Sequence, residues 1–492
     1  MSQFGKYLRF ILDERKLSIS ELSRKSGVER TSLQKSITGN RMLPYESVEK
    51  LIWSLQLTPA ESDKLKYYYD IFFIGEDKYE SRKIIRRMLE NLSSVYFENP
   101  SPISFSCDYH AGEFDFKMEE NSLITGSSNV QAMVQSVFER ELCCKNPEIE
   151  LTTPTEMHFL NEYLFYLFKK RGINGKIRHM IAIHRKKTEK SLNLHSIECF
   201  SWLLPLCLVS RQQYHPYYYY DTAVTELFTD PFPYFIVTRD CVLCMAADGA
   251  KAILLNSREY ADFYRKHFKN LSGKAHELVH YSSGLVSTLA EYRKVFHSDN
   301  MYVCTHQPCF PGVCSPDEIR ARIRSDIPQS RKIAEICVEY LTSIQSVKKY
   351  NHAFMREGVI RFMEDGKIDD FPELVEEIPL SDRLELLRRV VEAAEDGERV
   401  EARLFNREVF TYPSFLTLST SLQTGMGIYT TSRYKDGQMP ICIHVYEPDI
   451  SEAFYDFVLS LPESGLICSR EETIRFLREV LETYSKKLSQ KA

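Results

Sequence analysis

Arg30, Thr31, Gln34 and Lys35 are spaced three and four apart, so a helix through them presents all four on one face. Their chemistry there is hydrogen bonding to base edges: a Gln amide pairs bidentately with adenine and an Arg guanidinium with guanine. Ser32, Thr38, Asn40 and Arg41 suit phosphate, whose contacts position a protein on a duplex without reading its sequence. A second group, Cys304, His306, Cys309 and Cys314, shares one stretch with Pro308 and Gly312. Zinc takes such ligands, but C-x-H-x2-C-x4-C is unlike the common zinc spacings. The reading taken is a loop of buried thiols with no metal. Cys241 and Cys244 sit in an apolar run, where residues three apart on a strand point oppositely, so packing is expected of them. The run Tyr217 to Tyr220 is either a pocket lining or a loop packed on the surface. Arg185, Lys186, Lys187 and Lys190 read as a solvated basic face. Walker A, strand-linked G-x-G-x-x-G, H-E-x-x-H and G-x-S-x-G patterns are absent from the sequence. No cofactor and no catalytic residue is expected.

The elements that must hold the first group are legible around it. Ser18 with Glu21 forms a capping box, so a helix begins at Ile19, with Leu22 inward and Ser23 small enough for a close crossing. Gly27 supplies a sharp turn and Val28 points back into a small core. A second helix runs from about Glu29 to Thr38, with Leu33 and Ile37 facing that core. Phe4, Leu8, Ile11 and Leu12 make an apolar stripe on a preceding helix. Pro44 opens another through Val48, Leu51, Ile52 and Leu55. Thr58-Pro59-Ala60-Glu61 starts a fifth, with Thr as N-cap and Pro at the first helical position.

This order resembles the XRE family of helix-turn-helix repressors, the lambda Cro and phage repressor type, over residues 1–70. The resemblance implies double-stranded DNA as the partner, with Arg30, Gln34 and Lys35 nearest the bases in the major groove. It also implies a homodimer on two half-sites about one helical turn apart. Ser36 stands where the family usually has an apolar residue, and Ile37 is expected to take that core role. Charge agrees. Residues 1–50 carry ten Lys/Arg and six Asp/Glu in a chain of net charge −5, a local basic face on an acidic protein.

The 492 residues suffice for about three domains. Thirteen cysteines in mostly apolar contexts fit free thiols in a reducing compartment. No run of about 18 apolar residues exists to span a membrane, and the N-terminus is amphipathic rather than signal-like. A bacterial cytoplasmic protein is expected.

The expected fold class is multidomain: an all-α helix-turn-helix domain (1–70), a helical linker and connector (71–128), an α/β sensor-like segment (129–275), a connector (276–326) and a second α/β or α+β segment (327–492). One continuous helix is expected over 61–92, and one strand over 233–246 before a hairpin turn at Asp248-Gly249. Residues 259–264 and 452–457 have the same aromatic-acidic helix character, each after a strand region, which suggests a diverged duplication. The alternation over 130–268 resembles one half of the phospholipase D-like fold, in the form used as a non-catalytic sensor. His184-Arg185-Lys186 matches the start of H-x-K-x4-D, but Ser191 stands at the Asp position and no second copy occurs. A diester hydrolase of that type needs two such histidines, so catalysis is not expected. The function expected is a DNA-binding transcriptional regulator whose body dimerises and receives a small-molecule or protein effector. The alternatives are a helix-turn-helix used for protein docking and an enzyme fused to a DNA-binding domain.

Overall fold

The computed structural model describes residues 1–96, 120–171, 173–184, 192–221, 231–282, 286–288, 290–291, 299–369, 372–431 and 441–490. The chain divides into two compact units, Met1–Lys83 and Ile84–Ala492.

Five helices build most of the first unit: α1 Gln3–Glu14, α2 Ile19–Ser26, α3 Arg30–Thr38, α4 Tyr45–Ser54 and α5 Pro59–Ile74. Phe4, Leu8, Leu22, Leu33, Val48, Leu51 and Leu65 are wholly buried in one shared core. Two capping boxes, Ser18/Glu21 and Thr58/Glu61, fix the starts of α2 and α5. Arg15 ties the end of α1 to α5 through Glu61 at 2.9 Å. Gly5 explains how closely α1 and α3 meet: a Cβ there would stand 2.1 Å from the Ile37 carbonyl oxygen. The expected continuous helix over 61–92 is interrupted. Gly75 takes φ 87 and ends α5, and α6 Glu76–Tyr96 follows. Later α6 residues, Ile85, Met88, Leu89 and Leu92, are buried in the core of the second unit.

The second unit holds two mixed sheets. The first comprises β1 Ser122–Thr125, β2 Glu148–Leu151, β3 Lys176–His184, β4 Tyr214–Asp221, β5 Tyr234–Val237, β6 Val242–Met245, β7 Lys251–Leu255 and β8 His276–Glu277, in the order β1-β7-β6-β5-β2-β3-β4-β8. The second comprises β9 His280–Ser282, β10 Asn300–Cys304, β11 Lys349–Phe354, β12 Val400–Leu404, β13 Leu416–Ser421, β14 Gly425–Thr430 and β15 Cys442–Val445, in the order β12-β11-β10-β13-β14-β15-β9. From β4 to β1 the first sheet runs 4-3-2-5-6-7-1, matching the second position for position. In both, the first three strands are parallel and the rest antiparallel.

The likeness reaches single residues. His179 lies opposite Leu151 in the parallel ladder and meets the Thr153 hydroxyl two residues on, at 3.1 Å. His352 lies opposite Val303 and meets the Thr305 hydroxyl two residues on, at 2.8 Å. Burial holds both imidazoles well below their ordinary range, His179 to about 4 and His352 to about 3.

Crossover helices cover the sheets. In the first half these include α7 Ser127–Leu142, α8 His158–Tyr166 and α9 Leu194–Ser210, with α10 Arg258–Ser272 on the opposite face. The second half has α11 Pro316–Arg322, α12 Ser330–Ser346, α13 Arg356–Asp365 and α14 Leu380–Asp396, then α15 Pro448–Leu459 beyond β15. The halves share a core where α9 meets α15, with the rings of Phe200 and Phe454 5.9 Å apart.

Several expectations change. The span 276–326, expected to be a connector, supplies β8, β9 and β10, because short strands broken by Pro and Gly carry little periodicity of their own. The expected strand over 233–246 is two, β5 and β6, joined by a tight turn at Thr238 to Cys241. Tyr217 to Tyr220 belong to β4, not to a loop. Cys241 and Cys244 do serve separate cores. Pro100, Pro102, Arg185, Lys186, Lys187, Lys190 and Ser191 lie outside the described residues.

Candidate nucleic-acid interface

The candidate interface is the outer side of α3. Gly27 makes the turn before it in the left-handed region, φ 69, and the Ser23 hydroxyl donates to the Val28 carbonyl at 2.7 Å to hold the exit. Leu33, Ser36 and Ile37 are buried, which fixes the rotation of the helix. Ser36 is accommodated without an apolar side chain because its hydroxyl donates to the Met42 sulfur at 3.2 Å. Ile37 is buried beside it, as expected.

That rotation leaves Arg30, Thr31, Gln34, Lys35 and Thr38 exposed in one stripe, with Asn40 and Arg41 exposed beyond the left-handed Gly39. Arg24 and Lys25 add exposed positive charge in the last turn of α2. Three of the hydroxyls have local partners. Thr31 and Ser32 donate to the Glu29 carboxylate, and Thr38 donates to the carbonyls of Gln34 and Lys35. The two hydroxyls hold the Glu29 carboxyl below its ordinary value, at the helix end where a negative charge is favoured. Arg30, Gln34, Lys35 and Arg41 are therefore the long side chains that project from this surface.

In the body, His306, Cys309 and Cys314 line one cavity, and Cys304 is buried at the end of β10. Among the described residues no group of three or more His, Cys, Asp or Glu side chains is arranged to hold a metal. Burial raises the Cys304 thiol to about 12 and the Cys314 thiol to about 11, and Cys314 donates to the Phe310 carbonyl. His306 is buried with Nδ1 against Asp369 at 2.5 Å, and Arg361 stands 3.7 Å from the other Asp369 oxygen.

A cluster that sequence spacing does not reveal forms at the carboxyl ends of β2, β3 and β4. His184 ends β3 with Nδ1 3.6 Å from Asp221, the last residue of β4. Its backbone N–H donates to His195 Nδ1, and His195 Nε2 meets Glu156 at 2.9 Å. With Nδ1 accepting, the His195 proton sits on Nε2 toward Glu156, and that hydrogen bond lowers the Glu156 carboxyl to about 2. Cys199 lies 3.8 and 3.6 Å from the two ring nitrogens of His195 and is 1% exposed. The tyrosine run resolves by strand parity. Tyr218 is buried and Tyr220 donates at 2.6 Å to Glu447, a wholly buried carboxylate that also accepts the Ile450 N–H and whose titration burial pushes upward. These tyrosines thus join the two halves of the body.

No protein-family model matches the chain, and no curated protein does. Among solved structures, one described as TrmBL2, an archaeal chromatin protein with a novel mode of DNA binding, is similar over 53% of this chain and 88% of its own, at 13% identity and a TM-score of 0.22. A likeness of that size decides neither fold nor function. No helix among the described residues is long and apolar enough to cross a membrane.

Proposed function

We propose that this protein is a sequence-specific DNA-binding regulator, with an XRE-like helix-turn-helix unit joined to a duplicated, non-catalytic, phospholipase D-like sensor body. One observation carries the DNA reading: the buried side of α3 turns Arg30, Gln34 and Lys35 outward together on a basic surface of an acidic chain. The recognition helix enters the major groove, Arg30 and Gln34 read base edges, and Arg41 with Asn40 holds phosphate. The matched strand orders and the paired Thr–His contacts support descent of both body halves from one ancestral unit. The protein acts in the cytoplasm as a homodimer, and an effector of the body shifts the balance between DNA-competent and incompetent arrangements.

Glu29 favours one other reading. A carboxylate at the head of the exposed helix, held by two hydroxyls, suits a basic protein partner. Binding of the purified chain to DNA from upstream of its own gene, across a salt series with random competitor, separates the two. Specific binding that falls steeply with salt, and is lost in Arg30→Ala/Gln34→Ala, supports the regulator. Binding indifferent to sequence, or none, sinks it and puts protein docking first.

A further inference from the structure

The second half of the body contains a cavity of about 120 Å³ between the crossover face of its sheet and α11, α12 and α14. That is several times the roughly 10–15 Å³ that one water requires. Its walls are mainly apolar, with Val303, Phe310, Ile323 and Leu386 among them. The sheet side is different. Thr431 lines the cavity, is 3% exposed, and its hydroxyl oxygen is buried with no hydrogen-bond partner among the described residues. A buried hydroxyl left unpaired is costly, so one in a cavity wall marks where a partner binds.

Charge limits what that partner is. Arg322 at the rim is neutralised by Asp382 at 3.2 Å. Asp369 is engaged by His306 at 2.5 Å, with Arg361 3.7 Å away. An ionic ligand would lose its hydration and find each of these charges already matched. The site lies near the carboxyl end of β10, where open α/β sheets commonly bind ligands.

We propose that this cavity binds a neutral, largely apolar small molecule carrying one hydrogen-bonding group, which pairs with the Thr431 hydroxyl. As the effector site of the regulator it rests on the preceding reading; as a binding site it does not. The test uses the full chain and pyrrole, an uncharged single ring with one N–H that a cavity of this volume admits, with binding followed by calorimetry. Titration of the wild type is expected to saturate at one probe per chain. Thr431→Val keeps the shape and removes the hydroxyl, and should weaken binding about fivefold, the worth of one hydrogen bond. Ile323→Trp, at a partly exposed wall position, should abolish saturable binding while far-UV circular dichroism and melting stay those of the wild type. Arg30→Ala/Gln34→Ala should bind the probe normally, so that failure of the DNA reading and failure of this site remain distinct. No saturable binding in the wild type, or equal binding in Thr431→Val and Ile323→Trp, overturns the proposal.

Discussion

Arg30, Gln34 and Arg41 lie within one short segment but are assigned different chemistry, so their substitutions should differ in kind. Gln34→Ala or Arg30→Ala removes a base-edge contact worth about 1–3 kcal/mol of discrimination and should flatten preference at one base position. Arg41→Ala should weaken every sequence alike and lower the salt slope by about one. Competition binding against single-base operator variants reads both. Uniform loss from all three would mean that the helix meets DNA in another rotation. The buried histidines make a second residue-level case. His179 and His352 stay neutral in the fold, with values of about 4 and 3 against an ordinary value near 6.5. As pH falls through that window the unfolded chain takes up protons that the native state refuses, so stability falls with pH. At pH 5 each histidine should cost the body about 2 kcal/mol relative to pH 7. Denaturant unfolding from pH 7 down to 4 should therefore show stability falling with pH, and His179→Asn should be less steep. An equally steep acid limb in that variant would remove His179 from the explanation.

At the scale of elements, the seating of α3 depends on α1. The Gly5 position admits no Cβ, because the Ile37 carbonyl oxygen would lie 2.1 Å away. Gly5→Ala should force the two helices apart at a cost of roughly 1–3 kcal/mol, the usual penalty for overpacking. Amide exchange by mass spectrometry should then quicken in peptides from 1–83 while body peptides keep their protection, since the units have separate cores. Unchanged protection in 1–83 would mean that the close approach does not constrain the unit. Losing a cap is milder: Ser18→Ala removes the acceptor for the Glu21 N–H and should cost about 1 kcal/mol.

For the whole molecule, the DNA reading and the cavity make one joint prediction. If the probe changes affinity for operator DNA by some factor, operator DNA must change affinity for the probe by the same factor. Titrating each with and without the other checks the equality. A factor of one in both directions would leave two sites that share a chain without communicating, and would end the effector reading though neither binding site.

The sequence by itself determined the first unit closely. Its capping boxes, its turn glycine and its three- and four-residue apolar spacing are local signals, and local hydrogen bonds and helix packing act at the same range. It also determined most body helices and several strands, including the hairpin at Gly249. Only tertiary structure decided the rest. Strand order and the pairing of β9 and β10 into the second sheet depend on partners far along the chain, so 276–326 looked like a connector. The same distance hid the meeting of Glu156, His184 and His195. Spacing along a chain fixes which side chains share a helix face, but ligation and cavities depend on where separate strands end.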